Sequence, residues 1–148
     1  MGAGLAILAF LLLVAVPVLL ALIAAGCALA LGVGNLLVQP ELRPRRTVRV
    51  VHYTSEEFGG QGGRAYRDAH GMELDRHILA LESDSGSYEP RGFSIDADSL
   101  VIAAVAEWTA PLKDLAPEHW RVFKGGSGVD VGPIVREGVP GAGHRIDG

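Results

Sequence analysis

The segment His77-Ile78-Leu79-Ala80-Leu81-Glu82-Ser83-Asp84-Ser85-Gly86 decides how this chain is read. Its first five residues form a short apolar run, which reads as a buried strand, and the run stops in acids and a turn. A second run upstream behaves alike. Thr47-Val48-Arg49-Val50-Val51-His52-Tyr53 alternates and is rich in β-branched residues, so it reads as a strand. It stops at Thr54-Ser55-Glu56-Glu57, followed by the glycines Gly59, Gly60, Gly62 and Gly63. Between the two runs, Arg64 to Met72 has helical propensity, with Gly71 near its end. Downstream, Ser94 to Trp108 reads as a helix capped by Asp96 or Asp98. Trp120 to Phe123 reads as a strand, Val131 to Glu137 as a short helix, and Gly138 to Ala142 as the entry to a further strand. Strands alternating with helices predict an α/β layer fold with a mostly parallel sheet.

Both apolar strands end in carboxylates: Glu56 and Glu57 after the first, Glu82 and Asp84 after the second. In parallel α/β sheets, ligands bind beyond the carboxyl ends of the strands. If the two strands are parallel neighbours, the acids share one edge and repel each other unless a cation neutralises them. Zinc accepts such oxygen ligands. Glu56 and Glu57 are adjacent and cannot both point the same way from extended backbone. One could bind a metal while the other serves as general base to a metal-bound water. Exposed loop acids explain the same pattern, and spacing alone does not choose between these readings.

Composition narrows the classes. Of the 148 residues, 49% are hydrophobic and 20% charged, which excludes a disordered chain. A net charge of −4 and a pI near 5.7 lack the basic face of a nucleic-acid binder. The single cysteine, Cys27, excludes an intrachain disulfide framework. The charge is unevenly placed: Met1 to Val38 carry no Asp, Glu, Lys, Arg or His. The chain therefore divides into an apolar segment, residues 1–38, and a polar domain, residues 39–148. The run Leu5 to Leu31 exceeds the ~20 apolar residues that a membrane-spanning helix needs. Pro17 should kink that helix, and Gly32-Val33-Gly34-Asn35 suits its end. A cleavable signal peptide, a lipoprotein signal at Cys27 and an altered soluble helix are the competing readings.

Several blocks together carry a family resemblance. They are Leu42-Arg43-Pro44-Arg45-Arg46-Thr47-Val48-Arg49-Val50-Val51, Thr54-Ser55-Glu56-Glu57-Phe58-Gly59-Gly60, Leu81-Glu82-Ser83-Asp84-Ser85-Gly86, Gly126-Ser127-Gly128-Val129-Asp130 and Gly138-Val139-Pro140-Gly141-Ala142. In order and spacing they resemble the carboxypeptidase Q branch of the co-catalytic zinc exopeptidases. The resemblance implies a partial aminopeptidase-like, three-layer α/β fold with a mostly parallel sheet, preceded here by a long apolar N-terminal helix. It implies hydrolysis of dipeptides or short peptides by a zinc pair. By the same resemblance Glu56 is the general base, and Glu57 and Asp84 are zinc ligands. No substrate-binding residue is assigned.

The departures matter equally. The family's His-x-Asp and Asp-Asp-Gly motifs have no counterpart in this chain, and His144 follows the Gly-Val-Pro-Gly block too closely to be the family's last His ligand. Two of five protein ligands remain, so the expectation is weak zinc binding and weak or absent activity from this chain alone, as in a truncated product. A noncatalytic membrane-anchored binding or assembly protein is the alternative. The expected partners are a short peptide, a membrane through residues 5–31 and a second copy in a homodimer, with no nucleic acid. The resemblance places the protein outside the cytoplasm. The arginine flank Arg43, Arg45, Arg46 and Arg49 instead favours a cytoplasmic-facing domain. His70, Glu73 and His77 could form a metal face only if one helix ran through Gly71.

Overall fold

The computed structural model describes residues 26–84, 89–115 and 119–146, which fall into two compact units divided between Val50 and Val51. In the first unit a helix, α1, runs over residues 26–37, continuing through Gly32–Asn35 rather than ending there. It approaches Val50 closely enough that a Cβ at Gly34 would sit 3.3 Å from the valine methyl. Leu29, Leu31 and Leu36 stay exposed along it. Among the described residues no helix is long and apolar enough to cross a membrane. Most of the apolar run, residues 5–25, lies outside the described residues.

The second unit holds α2 (Gln61–His70), β1 (Ala80–Glu82), β2 (Pro90–Asp96), α3 (Ser99–Trp108), β3 (Arg121–Lys124), α4 (Gly132–Val135) and β4 (Gly141–Ile146). The sheet order is β1-β4-β2-β3. β1 runs parallel to β4 and β2 parallel to β3, while β2 and β4 are antiparallel. The fold is thus mixed α/β with two parallel pairs and one antiparallel join.

Alternation along the strands sorts side chains to two faces. Ile95 and Ala142, opposite each other in β2 and β4, point to one face and pack with Val105 of α3, flanked by Leu79, Phe93, Val101, Ile102 and Val122. Asp98 starts α3 by accepting the Leu100 and Val101 amides at 2.9 and 3.0 Å. The neighbouring residues Ser94 and Gly143 point to the other face. There a second cluster forms from Leu74, Ala80, Val131, Ile134 and Val139, with Tyr53, Tyr66 and Val135 against it.

Three expectations are corrected. Residues 47–53 join no ladder among the described strands, although their alternation suits one. A strand is defined by a partner's backbone, and no described edge lies against this stretch. Ser94 to Asp96 are strand, not helix: β2 occupies Pro90–Asp96, and only Ser99 onward is helical. The Pro and Gly in Pro90-Arg91-Gly92 disguised it, since both are poor in strands. Gly92 is required: at φ 118 it lies so close to β3 that a Cβ would stand 1.8 Å from the Arg121 carbonyl oxygen. Helix α2 spans Gln61–His70 and passes into a 3-10 turn over Gly71–Arg76, which ends the single-helix arrangement of His70, Glu73 and His77.

Ile95 is fully buried at the centre of the cluster under α3. Ile95→Ala should cost about 2–5 kcal/mol, the usual range for such a cavity. Urea unfolding of the two proteins, compared at equal slope, measures it.

Candidate active-site edge

The loop after β3 builds the site. It leaves the sheet at Gly125, whose amide donates to the Ile95 carbonyl at 3.0 Å. It then crosses one face of the sheet from β2, over β4, to β1. Over β2, the buried Ser94 hydroxyl donates to the Gly126 carbonyl at 2.6 Å, and Arg145 reaches the same carbonyl at 3.2 Å and the Ser94 oxygen at 2.8 Å. Over β4, the loop rests on glycines: a Cβ at Gly141 would meet Ser127 at 2.5 Å, and one at Gly143 would meet the Gly126 and Ser127 carbonyls at 3.1 Å. At β1, the Glu82 carboxylate accepts the Val129 amide at 3.1 Å and the Val131 amide at 3.0 Å. Each such bond to a charged acceptor contributes about 1.5–3 kcal/mol.

The crossing delivers Asp130 to the carboxyl end of β1. Helix α2 meets it there, because Gly63 lies so close to the Asp130 carbonyl oxygen that a Cβ would stand 2.2 Å away. Just before α2, residues 56–59 form a turn in which the Glu56 carbonyl accepts the Gly59 and Gly60 amides at 2.9 and 2.8 Å. Ser55 enters this turn at φ 61, a left-handed conformation rare outside glycine. The turn sets Glu56 half-buried and Glu57 exposed.

Electrostatics report the convergence. Asp130 is half-buried, and its Oδ1 is closed to solvent with no hydrogen-bond partner among the described residues. Its carboxyl is raised from 3.8 to about 6, first by burial and then by the negative charges of Glu82, Glu56 and Asp84. Tyr53 is pushed up to about 12 by burial, with Tyr66, Asp130 and Glu82 adding. The edge thus gathers Glu56, Glu82, Asp84, Asp130 and Tyr53. Sequence reading put Glu56 and Asp84 on one edge and gave Asp130 no role, whereas the charges of Glu56 and Asp84 both act on Asp130. Its signal was the block Gly126-Ser127-Gly128-Val129-Asp130 itself, an acid at the end of a glycine-rich loop.

The other candidates fall elsewhere. His77 donates from Nδ1 to the Glu73 carbonyl at 3.0 Å and accepts at Nε2 from the Tyr66 hydroxyl at 2.9 Å, so both ring nitrogens serve the local fold. His70 bonds Glu73. His144 hydrogen-bonds Ser83 at 3.2 Å and lies against Phe93, on the sheet face opposite Glu82, and burial lowers its pKa. Trp120 is buried against Phe93, and Trp108 is 70% exposed.

Among the described residues no group of three or more His, Cys, Asp and Glu side chains is gathered to hold a metal ion. A catalytic zinc takes three protein ligands. The exposed carboxylates of Glu57 and Asp84 therefore do not by themselves make a complete zinc site.

A mixed sheet carrying a carboxylate edge at the end of a parallel strand pair defines an α/β domain with a polar ligand edge. Residues 23–146 match Peptidase family M28. Carboxypeptidase Q of Mus musculus is 36% identical over 106 residues, which is 72% of this chain and 22% of that protein. Carboxypeptidase Q of Homo sapiens is 35% identical over 101 residues, 68% of this chain and 21% of that protein. A crystal structure of a peptidase M28 precursor from Shewanella amazonensis superposes with a TM-score of 0.71 at 32% identity, covering 84% of this chain and 28% of that one. The chain belongs to Peptidase family M28. It spans about a fifth of the length of the carboxypeptidase Q relatives it matches.

The raised Asp130 carboxyl has a definite sign in stability. Its folded value lies above its unfolded one, so its contribution is fully present below about pH 3.8 and is lost as pH rises through about 6. Asp130→Asn should therefore melt higher than the parent at neutral pH, with the gap narrowing as pH falls through 6 and closing near 4. Thermal melts of both proteins across that range measure the difference.

Proposed function

We propose that this chain is a portion of a zinc-dependent exopeptidase that hydrolyses dipeptides or short peptides, with Glu56 as general base and Glu57 and Asp84 as oxygen donors to zinc. The observation that supports the reading is the crossing of the Asp130 loop to the end of β1, where Glu82 takes the Val129 and Val131 amides and Gly63 of α2 meets the Asp130 carbonyl. Membership of Peptidase family M28 supports peptide hydrolysis at the level of the family.

The chain's own residues account for part of such chemistry. The turn at residues 56–59 fixes the Glu56 backbone at the start of α2. A carboxylate can take a proton from a water attacking a peptide carbonyl. Zinc, when bound, would polarise that carbonyl and acidify the water. Asp130 holds a proton up to about pH 6 and stands among the charges of Glu82, Glu56 and Asp84, where it can hydrogen-bond to an acid of the edge or to a substrate group. With two donors the chain should bind zinc weakly and hydrolyse peptide slowly. The resemblance to carboxypeptidase Q favours a location outside the cytoplasm, with residues 5–31 as the segment to test for membrane anchorage.

Zinc titration by calorimetry separates this reading from a domain without metal chemistry. The parent chain should bind zinc measurably above a Glu57→Ala/Asp84→Ala double variant, and equal binding by the two would sink the proposal. Glu56→Gln should leave zinc binding unchanged and lower any zinc-dependent dipeptide hydrolysis by roughly 10²–10⁴-fold, the usual contribution of a positioned base.

A further inference from the structure

We propose that Glu82 is a positioning residue of the carboxylate edge: by gripping the Val129 and Val131 amides it fixes the backbone that carries Asp130 to the end of β1. The inference rests on reading that edge as the working edge of the domain. By residue pattern Glu82 and Asp84 are alike, acids behind the same apolar run, and only the family resemblance singles out Asp84. The structure separates them. Asp84 is exposed, whereas both oxygens of Glu82 are engaged by backbone amides 47 and 49 residues away.

The geometry of that grip explains why it acts on Asp130 in particular. The Val131 N–H belongs to the peptide that follows Asp130, and the Val129 N–H to the peptide that precedes Val129. The grip therefore holds the backbone at both ends of the Val129–Asp130 pair and limits how far Asp130 can turn. Gly128 makes room for the carboxylate: at φ 124, a Cβ there would lie 2.2–2.3 Å from its carbon and both oxygens. From the opposite side, Gly63 of α2 seats the Asp130 carbonyl. Asp130 is thus pinned by its backbone on two sides, while its Oδ1 keeps no partner among the described residues. A side chain held this way is directed by the scaffold rather than by bonds of its own.

The alternative role for Glu82 is plain loop stability, and a coupling experiment on the full chain distinguishes the two. The probe is the side-chain carboxyl carbon resonance of Asp130, read by NMR at one fixed pH. Glu56→Gln alone should shift that resonance, because the two groups are neighbours. In a Glu82→Gln background the same substitution should lose most of its effect. Amide exchange at Val129 and Val131 should rise about tenfold or more in Glu82→Gln, the scale of one lost bond to a charged acceptor. A Glu82→Gln protein that melts lower yet keeps the full Glu56 response would show a structural role only and overturn the proposal. Should Glu82→Gln fail to fold, the parent chain still decides: Val129 and Val131 amides that exchange as fast as unprotected loop amides refute the grip. Neither readout uses metal or peptide, so failure of the peptidase reading and failure of this one are seen separately.

Discussion

The grip of Glu82 on the Val129 and Val131 amides is the contact that joins the sheet to its site. The loop after β3 must cross two strands, β2 and β4, to reach β1, and a loop lying on a sheet hides backbone groups that need partners. Ser94 and Arg145 satisfy the Gly126 carbonyl at the start of the crossing, and Glu82 satisfies two amides at its end. The glycines of β4 make the crossing close enough for these bonds to form. An apolar residue at 82 would leave two donors facing the protein without acceptors, a larger penalty than the loss of the bonds themselves.

The same economy explains why separate sequence blocks belong together. The block ending in Asp130 lies on the block containing Gly141 and Ala142, and both abut the strand that ends in Glu82. The block with Glu56 and Glu57 leads into α2, whose Gly63 touches Asp130. Each block is shaped by another rather than by an independent role. The opposite face of the sheet is ordinary core, with Ile95, Ala142 and Val105 packed under α3. Both faces carry apolar clusters, and one of them also carries the loop that presents the acids.

The α/β class, the capped start of α3 at Asp98 and the strand ending near Glu82 were legible because they rest on local pattern: an apolar run, a cap, a period. β2 was hidden because Pro90 and Gly92 read as breakers, and only the close approach of Arg121 reveals why glycine is there. Residues 47–53 carry a strand pattern yet pair with no described strand, since pairing depends on a partner that the pattern does not name. At the site, Glu56 and Asp84 drew notice by their positions after apolar runs. Asp130 did not, because its perturbation comes from burial and from charges contributed by distant segments. The role of Glu82 was hidden, because the backbone amides that engage it lie nearly fifty residues away.

The acids at this edge divide the problem of their mutual repulsion among themselves. Glu82 is neutralised in part by two amide donors, a dipolar partner that stays in place at every pH. Glu57 and Asp84 stay exposed, where water screens them. Asp130 has neither recourse on its Oδ1, and its carboxyl holds a proton to about pH 6 instead. Above that pH the edge carries a concentrated negative charge that only a cation or a donor from outside can balance. The protonated edge is the more stable one, and its ionised form places like charges together.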